Sequence, residues 1–223
     1  MSITVNAGCF NDPKDRPGLA HFLEHMIFKG NNRIRPGEFD QKIESLGGIS
    51  NASTGYDDVH YYVLIPTYNF KESLALLTNI VLEPSFNKDE FEKEKSVVLD
   101  EIKQQNDQPD EKLFNYFLRR VWKSNSYANS ILGTEKSVKL LDINDIQNFH
   151  QQNYVKDKVC FAIAGNLTKD IYADFEKSKL PSLHEETNIQ KLNYRLSSGE
   201  KSIDNIRTGR EEIIFENLEF SRI

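Results

Sequence analysis

His21, Glu24 and His25 stand in "GLAHFLEHMIFKG", residues 18–30, a run that is otherwise almost wholly apolar. Burying imidazoles and a carboxylate costs free energy unless something compensates them. At about 100° per residue, with His21 as zero, His25 falls at about 40° and Glu24 at about 300°, so the three share one helix face. Phe22, Leu23, Met26 and Ile27 fill the other directions and can pack the helix into a core. Two His at i and i+4 can ligate one tetrahedral zinc ion, and a Glu beside the second can reach a water on that ion. The pattern H-x-x-E-H is a metal-site signature, and here it uses two of only five histidines.

A hydrolytic zinc site normally has three protein ligands and one water, so a further ligand is needed. The charged segment "NKDEFEKEKSVVLDEIKQQND" reads as a long helix that begins with an Asn87 cap. Taking Phe91 as zero, Val98 and Ile102 sit near 340° and 20°, and Val97 near 240°, at about 100° per residue. Glu94 and Glu101 land near 300° and 280° by the same spacing, between Val98 and Val97. They are the acidic residues expected to turn inward, although Lys95, near 40°, intrudes on the same face. One could ligate zinc and the other could hold a His ligand by hydrogen bond. Spacing alone leaves open which does which.

These helices need a scaffold. "SITVNAGCF" alternates as a strand does, and "ISNASTGYDDVHYYVLIPT" reads as two strands around a turn at Gly55 to Asp58. "RPGEFDQKIESLGG" gives a helix ended by Gly47 and Gly48. Further helices are expected in "YNFKESLALLTNIVLEP", after Pro109, in "DINDIQNFHQQNY" and in "TKDIYADFEKS", with a strand in "KVCFAIAGN". The order implies an α+β class, a mostly antiparallel sheet covered by helices. Residues 1–180 are expected to form the zinc-bearing domain. Residues 181–223 read as a polar linker and the start of a following strand, cut short.

The 223 residues are enough for a substantial core, and 38% hydrophobic content reads as globular. A formal net charge of −6 argues against nucleic acid or anionic membrane as the main partner. No apolar run is long enough to span a bilayer. Cys9 and Cys160 read as free, half-buried thiols rather than a disulfide framework. The opening "MSITVNAGCF" does not read as a secretory leader, and a cytoplasmic location is expected.

Three segments in order, "GLAHFLEHMIFKG", "GGISNASTGYDDVHYYV" and "EKEKSVVLDEI", resemble the inverted-zinc-motif metallopeptidases, the family of pitrilysin, insulin-degrading enzyme and the mitochondrial processing peptidase. The resemblance implies one zinc ion held by His21, His25 and Glu101, with Glu24 as general base. It implies that Glu94 supports the site without ligating. It places Asn51 and Ala52 on an edge strand that pairs with extended substrate, which suits recognition through main-chain hydrogen bonds. The expected function is a zinc metalloendopeptidase catalytic domain that hydrolyses extended peptides with a zinc-activated water. The family encloses its substrate between two or more homologous domains, so a homologous second half or partner subunit is expected, with the isolated chain weak or inactive. The alternative is a non-catalytic peptide-binding or scaffold subunit of a peptidase complex.

Overall fold

Alternation of side chains produces the sheet. The computed structural model of the chain describes residues 1–123, 125–166, 169–177, 204–207 and 212–215. Strands β1 (Ser2–Val5), β2 (Ile49–Thr54), β3 (Val59–Leu64) and β4 (Val159–Ala162) form an antiparallel sheet in the order β2-β3-β1-β4. Ile3, Val5, Val59, Tyr61 and Val63 point to one face and are fully buried. The core therefore lies on that face, and helices cover it. These are α1 (Leu19–Ile27), α2 (Glu38–Ser45), α3 (Phe70–Leu82), α4 (Lys88–Asp107), α5 (Pro109–Trp122), α6 (Glu135–Leu140), α7 (Ile143–Asn153) and α8 (Lys169–Glu176). The architecture is α+β. None of the described helices is long and apolar enough to cross a membrane.

Helix α1 packs against α4, α7 and β2. Six of its apolar residues, Leu19, Ala20, Phe22, Leu23, Met26 and Ile27, are essentially without solvent contact. Helix α4 starts where expected: the Asn87 side chain accepts from the N–H groups of Asp89 and Glu90. Phe91, Val98 and Ile102 bury one stripe of α4, but Val97 is 50% exposed, so the inward stripe is narrower than its apolar residues suggest. Lys95 keeps its stem on that stripe: its ammonium donates to the Leu141 carbonyl at 2.9 Å and lies 5.0 Å from the Phe91 ring centre.

The start of α1 is fixed by a contact absent from the local sequence pattern. Asp12 is buried and accepts from the N–H groups of Gly18 (2.7 Å) and Ala20 (2.8 Å), which have no partner inside the helix. Gly18 has φ 93°, and a Cβ there would meet the Leu132 carbonyl oxygen at 2.6 Å, so only glycine fits. Asp12→Ala is expected to cost about 2–4 kcal/mol, a lost cap plus buried donors left unpaired. Burial pushes the Asp12 carboxyl up from 3.8 to about 7, against the pull of the N–H groups it accepts from. The folded chain thus keeps a proton that the unfolded chain releases. The stability this carries is full below pH 3.8, is lost as pH rises toward 7, and changes little above that. Denaturation of the parent and Asp12→Asn at pH 5 and pH 8 measures it: the parent should lose ground to the variant at the higher pH.

Strands β5 (Asp204–Arg207) and β6 (Glu212–Phe215) pair antiparallel, with Asp204 opposite Phe215. The linker and following strand expected over 181–223 otherwise lie outside the described residues. Both cysteines are free, but neither is half-buried: Cys9 is buried in the core and Cys160 is exposed on β4.

Candidate active site

The one-face placement of His21, Glu24 and His25 holds because the apolar residues of α1 anchor the other directions. Glu101 comes from the facing stretch of α4. The His21 and His25 Nε2 atoms are 3.3 Å apart, and Glu101 Oε2 lies 3.7 Å from the first and 3.5 Å from the second. Bonds of about 2.1 Å to a tetrahedral zinc imply ligand–ligand edges of about 3.4 Å. The three atoms form that triangle. Glu101 Oε2 is moreover buried without a hydrogen-bond partner among the described residues. A lone acceptor beside two imidazole nitrogens is costly unless a cation completes it. The donor set and its spacing fit a zinc ion.

The surroundings tune these side chains. Burial, and then the neighbouring His25, pushes His21 down to about 3, so its ring is neutral at ordinary pH and keeps a lone pair for a metal. His21 Nδ1 has no hydrogen-bond partner among the described residues. Glu94, 5% exposed, accepts from His25 Nδ1 at 2.8 Å through one oxygen and from the Lys29 ammonium at 2.6 Å through the other. With Nδ1 so engaged, His25 presents Nε2 to the Glu101 side. Burial alone would lower His25, but the Glu94 hydrogen bond and the charges of Glu94, Glu101 and Glu24 outweigh it and raise it. Burial likewise works to raise Glu94, yet its bonds to His25 and Lys29 hold it below the usual range.

Glu24 stays off this triangle. Its Oε2 accepts from the Thr54 hydroxyl at 2.6 Å, across from α1 to β2. Burial raises its carboxyl, the Thr54 hydrogen bond and His25 oppose, and Glu101 adds to the rise. A partly desolvated carboxylate of raised pKa is suited to taking a proton.

Asn51 and Ala52 lie on β2, the strand at the end of the sheet order. The Ala52 N–H is not taken by β3; it donates to the Asn51 side-chain oxygen at 2.9 Å, which puts it on the open edge. By the two-residue period, the N–H groups of Ser50 and Thr54 face the same way. Asn51 and Ala52 also line a cleft of about 470 Å³ together with Glu24 and His25. The expected site residues therefore gather in one region: His21, His25 and Glu101 at the triangle, Glu94 behind it, Glu24 beside it and Asn51–Ala52 along the adjoining cleft.

Residues 1–135 match the family model described as insulinase, peptidase family M16. The chain belongs to this family. It is 32% identical over 167 residues to a protein named uncharacterized zinc protease from Rickettsia bellii, covering 75% of this chain and 40% of that one. It is 29% identical over 165 residues to the probable mitochondrial-processing peptidase subunit beta of Arabidopsis thaliana, covering 74% of this chain and 31% of that protein. A protease from Helicobacter pylori shares the fold with a TM-score of 0.83 at 24% identity, over 90% of this chain and 49% of that one. The chain thus spans less than half the length of each of these proteins. The relatives' names support zinc dependence and a metallopeptidase class.

Thr54, Lys29 and Asp12 were not singled out by the sequence. Lys29 carried a local signal, one turn beyond His25 at i+4. Thr54 and Asp12 carried none, because their partners are fixed by the docking of β2 on α1 and by the path of the loop after Asp12.

Proposed function

We propose that this chain carries the catalytic zinc centre of a metalloendopeptidase acting on extended peptides. The observation that supports it most is the buried, unpartnered Oε2 of Glu101 aimed at the two His Nε2 atoms. His21, His25 and Glu101 hold a single ion. That ion, when bound, supplies Lewis acidity toward a water and toward the scissile carbonyl. Glu24 takes the proton of the attacking water and returns it to the leaving amine. Thr54 holds the Glu24 carboxylate in place, and Glu94, tied to Lys29, holds His25. The open edge of β2 at Asn51 and Ala52 pairs with the peptide main chain, which demands little of substrate sequence. A homologous second half or partner subunit closes the site, and the isolated chain turns over slowly or not at all.

The test is a metal titration beside a peptide-cleavage assay. The purified chain is expected to take one equivalent of zinc and His21→Ala to take none. Cleavage, measured with and without a supplied homologous half, should stop on chelation and return with zinc. Absence of saturable zinc binding by the parent chain, or cleavage indifferent to chelation, would overturn the reading.

A further inference from the structure

We propose that Tyr127 is a positioning residue for Glu24 that acts through Thr54: it clamps the tip of the β2–β3 hairpin so that the Thr54 hydroxyl stays on the Glu24 carboxylate. This rests on the peptidase reading above, in which Glu24 takes the proton, and adds to that step a residue more than 100 positions away in the chain. The Thr54–Glu24 hydrogen bond, at 2.6 Å, joins α1 to the last residue of β2. Its length depends on whatever fixes the hairpin tip relative to α1.

Segment 8–12 ties both sides of that bond. Its Cys9 and Phe10 N–H groups donate to the Gly55 and Tyr56 carbonyls at 3.1 and 2.8 Å, in the turn that follows Thr54. Its far end, Asp12, caps α1. The two backbones touch: a Cβ on Gly8 would lie 2.5 Å from both the Gly55 and Tyr56 oxygens. The turn is nevertheless exposed at Asp57 and Asp58, so water competes for the hydrogen bonds there. A side chain closes the junction.

Tyr127 comes from the short turn Ser126–Ala128, which packs on α5. Its ring centre lies 4.9 Å from that of Phe10, 5.6 Å from that of Tyr56 and 4.9 Å from that of Trp122. Its hydroxyl donates to the Asp57 carboxylate. Tyr127 therefore holds Phe10 on one of the two touching backbones and Tyr56 and Asp57 on the other. Ring contacts at this spacing stabilise beyond their buried area, and the charge-assisted hydrogen bond fixes the ring's orientation. Along β2 itself, Ile49 to Thr54 pair with β3, so Asn51 and Ala52 keep their register without the clamp. The clamp thus bears on the base and leaves the peptide edge alone. Reacting groups tolerate little displacement, about 1 Å costing up to about 10²-fold in rate.

The experiment is a double-mutant cycle on the zinc-loaded full chain, with the homologous half supplied and a quenched peptide as substrate. Tyr127→Phe removes the bond to Asp57 and keeps the ring; Tyr127→Ala removes both. Because Tyr127 acts through Thr54, its loss cannot exceed that of Thr54→Val. Tyr127→Ala is expected to lower kcat about tenfold, with KM within about twofold and one equivalent of zinc retained, and Tyr127→Phe to fall between it and the parent. In the Thr54→Val background, Tyr127→Ala should cost less than about twofold. A readout without turnover is the side-chain rotamer of Thr54, measured from the couplings of its labelled methyl group: one rotamer in the parent, an average in Tyr127→Ala. A merely stabilising tyrosine would lower the melting temperature and give the same rate loss in both backgrounds. Full kcat in Tyr127→Ala, equal losses in both backgrounds, or a single Thr54 rotamer in Tyr127→Ala overturns the clamp and leaves the peptidase reading intact. Absence of cleavage by the zinc-loaded parent overturns the peptidase reading, and with it the role given to Tyr127.

Discussion

Glu24→Gln is expected to keep one equivalent of zinc and to lose peptide cleavage by about 10²–10⁴-fold, the usual worth of a positioned proton acceptor. Glu24 is not among the three residues grouped so that they could hold a metal ion, His21, His25 and Glu101. Gln has the same shape, and its amide oxygen can still accept from Thr54, whose hydroxyl lies 2.6 Å from the Glu24 carboxylate. What the amide lacks is basicity. The substitution therefore separates proton transfer from fold and metal. The measurement is kcat/KM on a quenched peptide, with zinc content determined on the same samples, and with the homologous half supplied if the chain alone is slow. Cleavage at the parent rate would remove Glu24 from its assigned role. Loss of zinc along with activity would show that the carboxylate helps hold the ion. Thr54→Val should give a smaller fall, because it frees the Glu24 carboxylate without removing it.

The parts of this site that could be read from sequence are those set within one element. His21, Glu24 and His25 share a face because three and four residues are fixed rotations of one helix, and the apolar residues between them say which way that face turns. The Asn87 cap and the alternation in β1 and β3 are legible for the same reason. Helix α4 was only half legible. Its stripe placed Glu94 and Glu101 inward, but it could not assign their roles, since those depend on how far α4 slides along α1. Val97 is exposed and Lys95 reaches sideways to Leu141, so the stripe's apparent width and its apparent flaw were both settled by packing. Helix α6 was missed although Thr134 and Ser137 form a reciprocal cap at its start, a short signal that six helical residues barely follow. Asp12 was illegible because the residues it caps begin six positions later, across a loop whose path no local rule fixes.

The two glutamates of α4 should fail in opposite ways. Glu101→Gln is expected to abolish saturable zinc binding while leaving the zinc-free chain close to the parent in stability. Its Oε2 has no hydrogen bond to lose, and the attraction its charge gives up toward His25 is offset by relief of its repulsion with Glu24. Glu94→Gln is expected to weaken zinc about 10–100-fold, the typical effect of removing the group that orients a metal-bound His. It should also destabilise the zinc-free chain by about 1–3 kcal/mol, because the charged hydrogen bonds to His25 and Lys29 are weakened together. Both partners are largely buried, at 22% and 27% side-chain exposure, so water replaces those bonds poorly. Competitive zinc titration against a coloured chelator measures the first effect, and urea denaturation in the presence of chelator measures the second. The two residues are seven apart on one stripe and carry the same side chain, so composition and helix propensity are matched between the variants. Only their placement differs: one oxygen unpaired at the His Nε2 atoms, the other carboxylate saturated behind His25. Zinc binding by Glu101→Gln at parent affinity, or the same pattern of losses in both variants, would show that the ion is not held by this triangle.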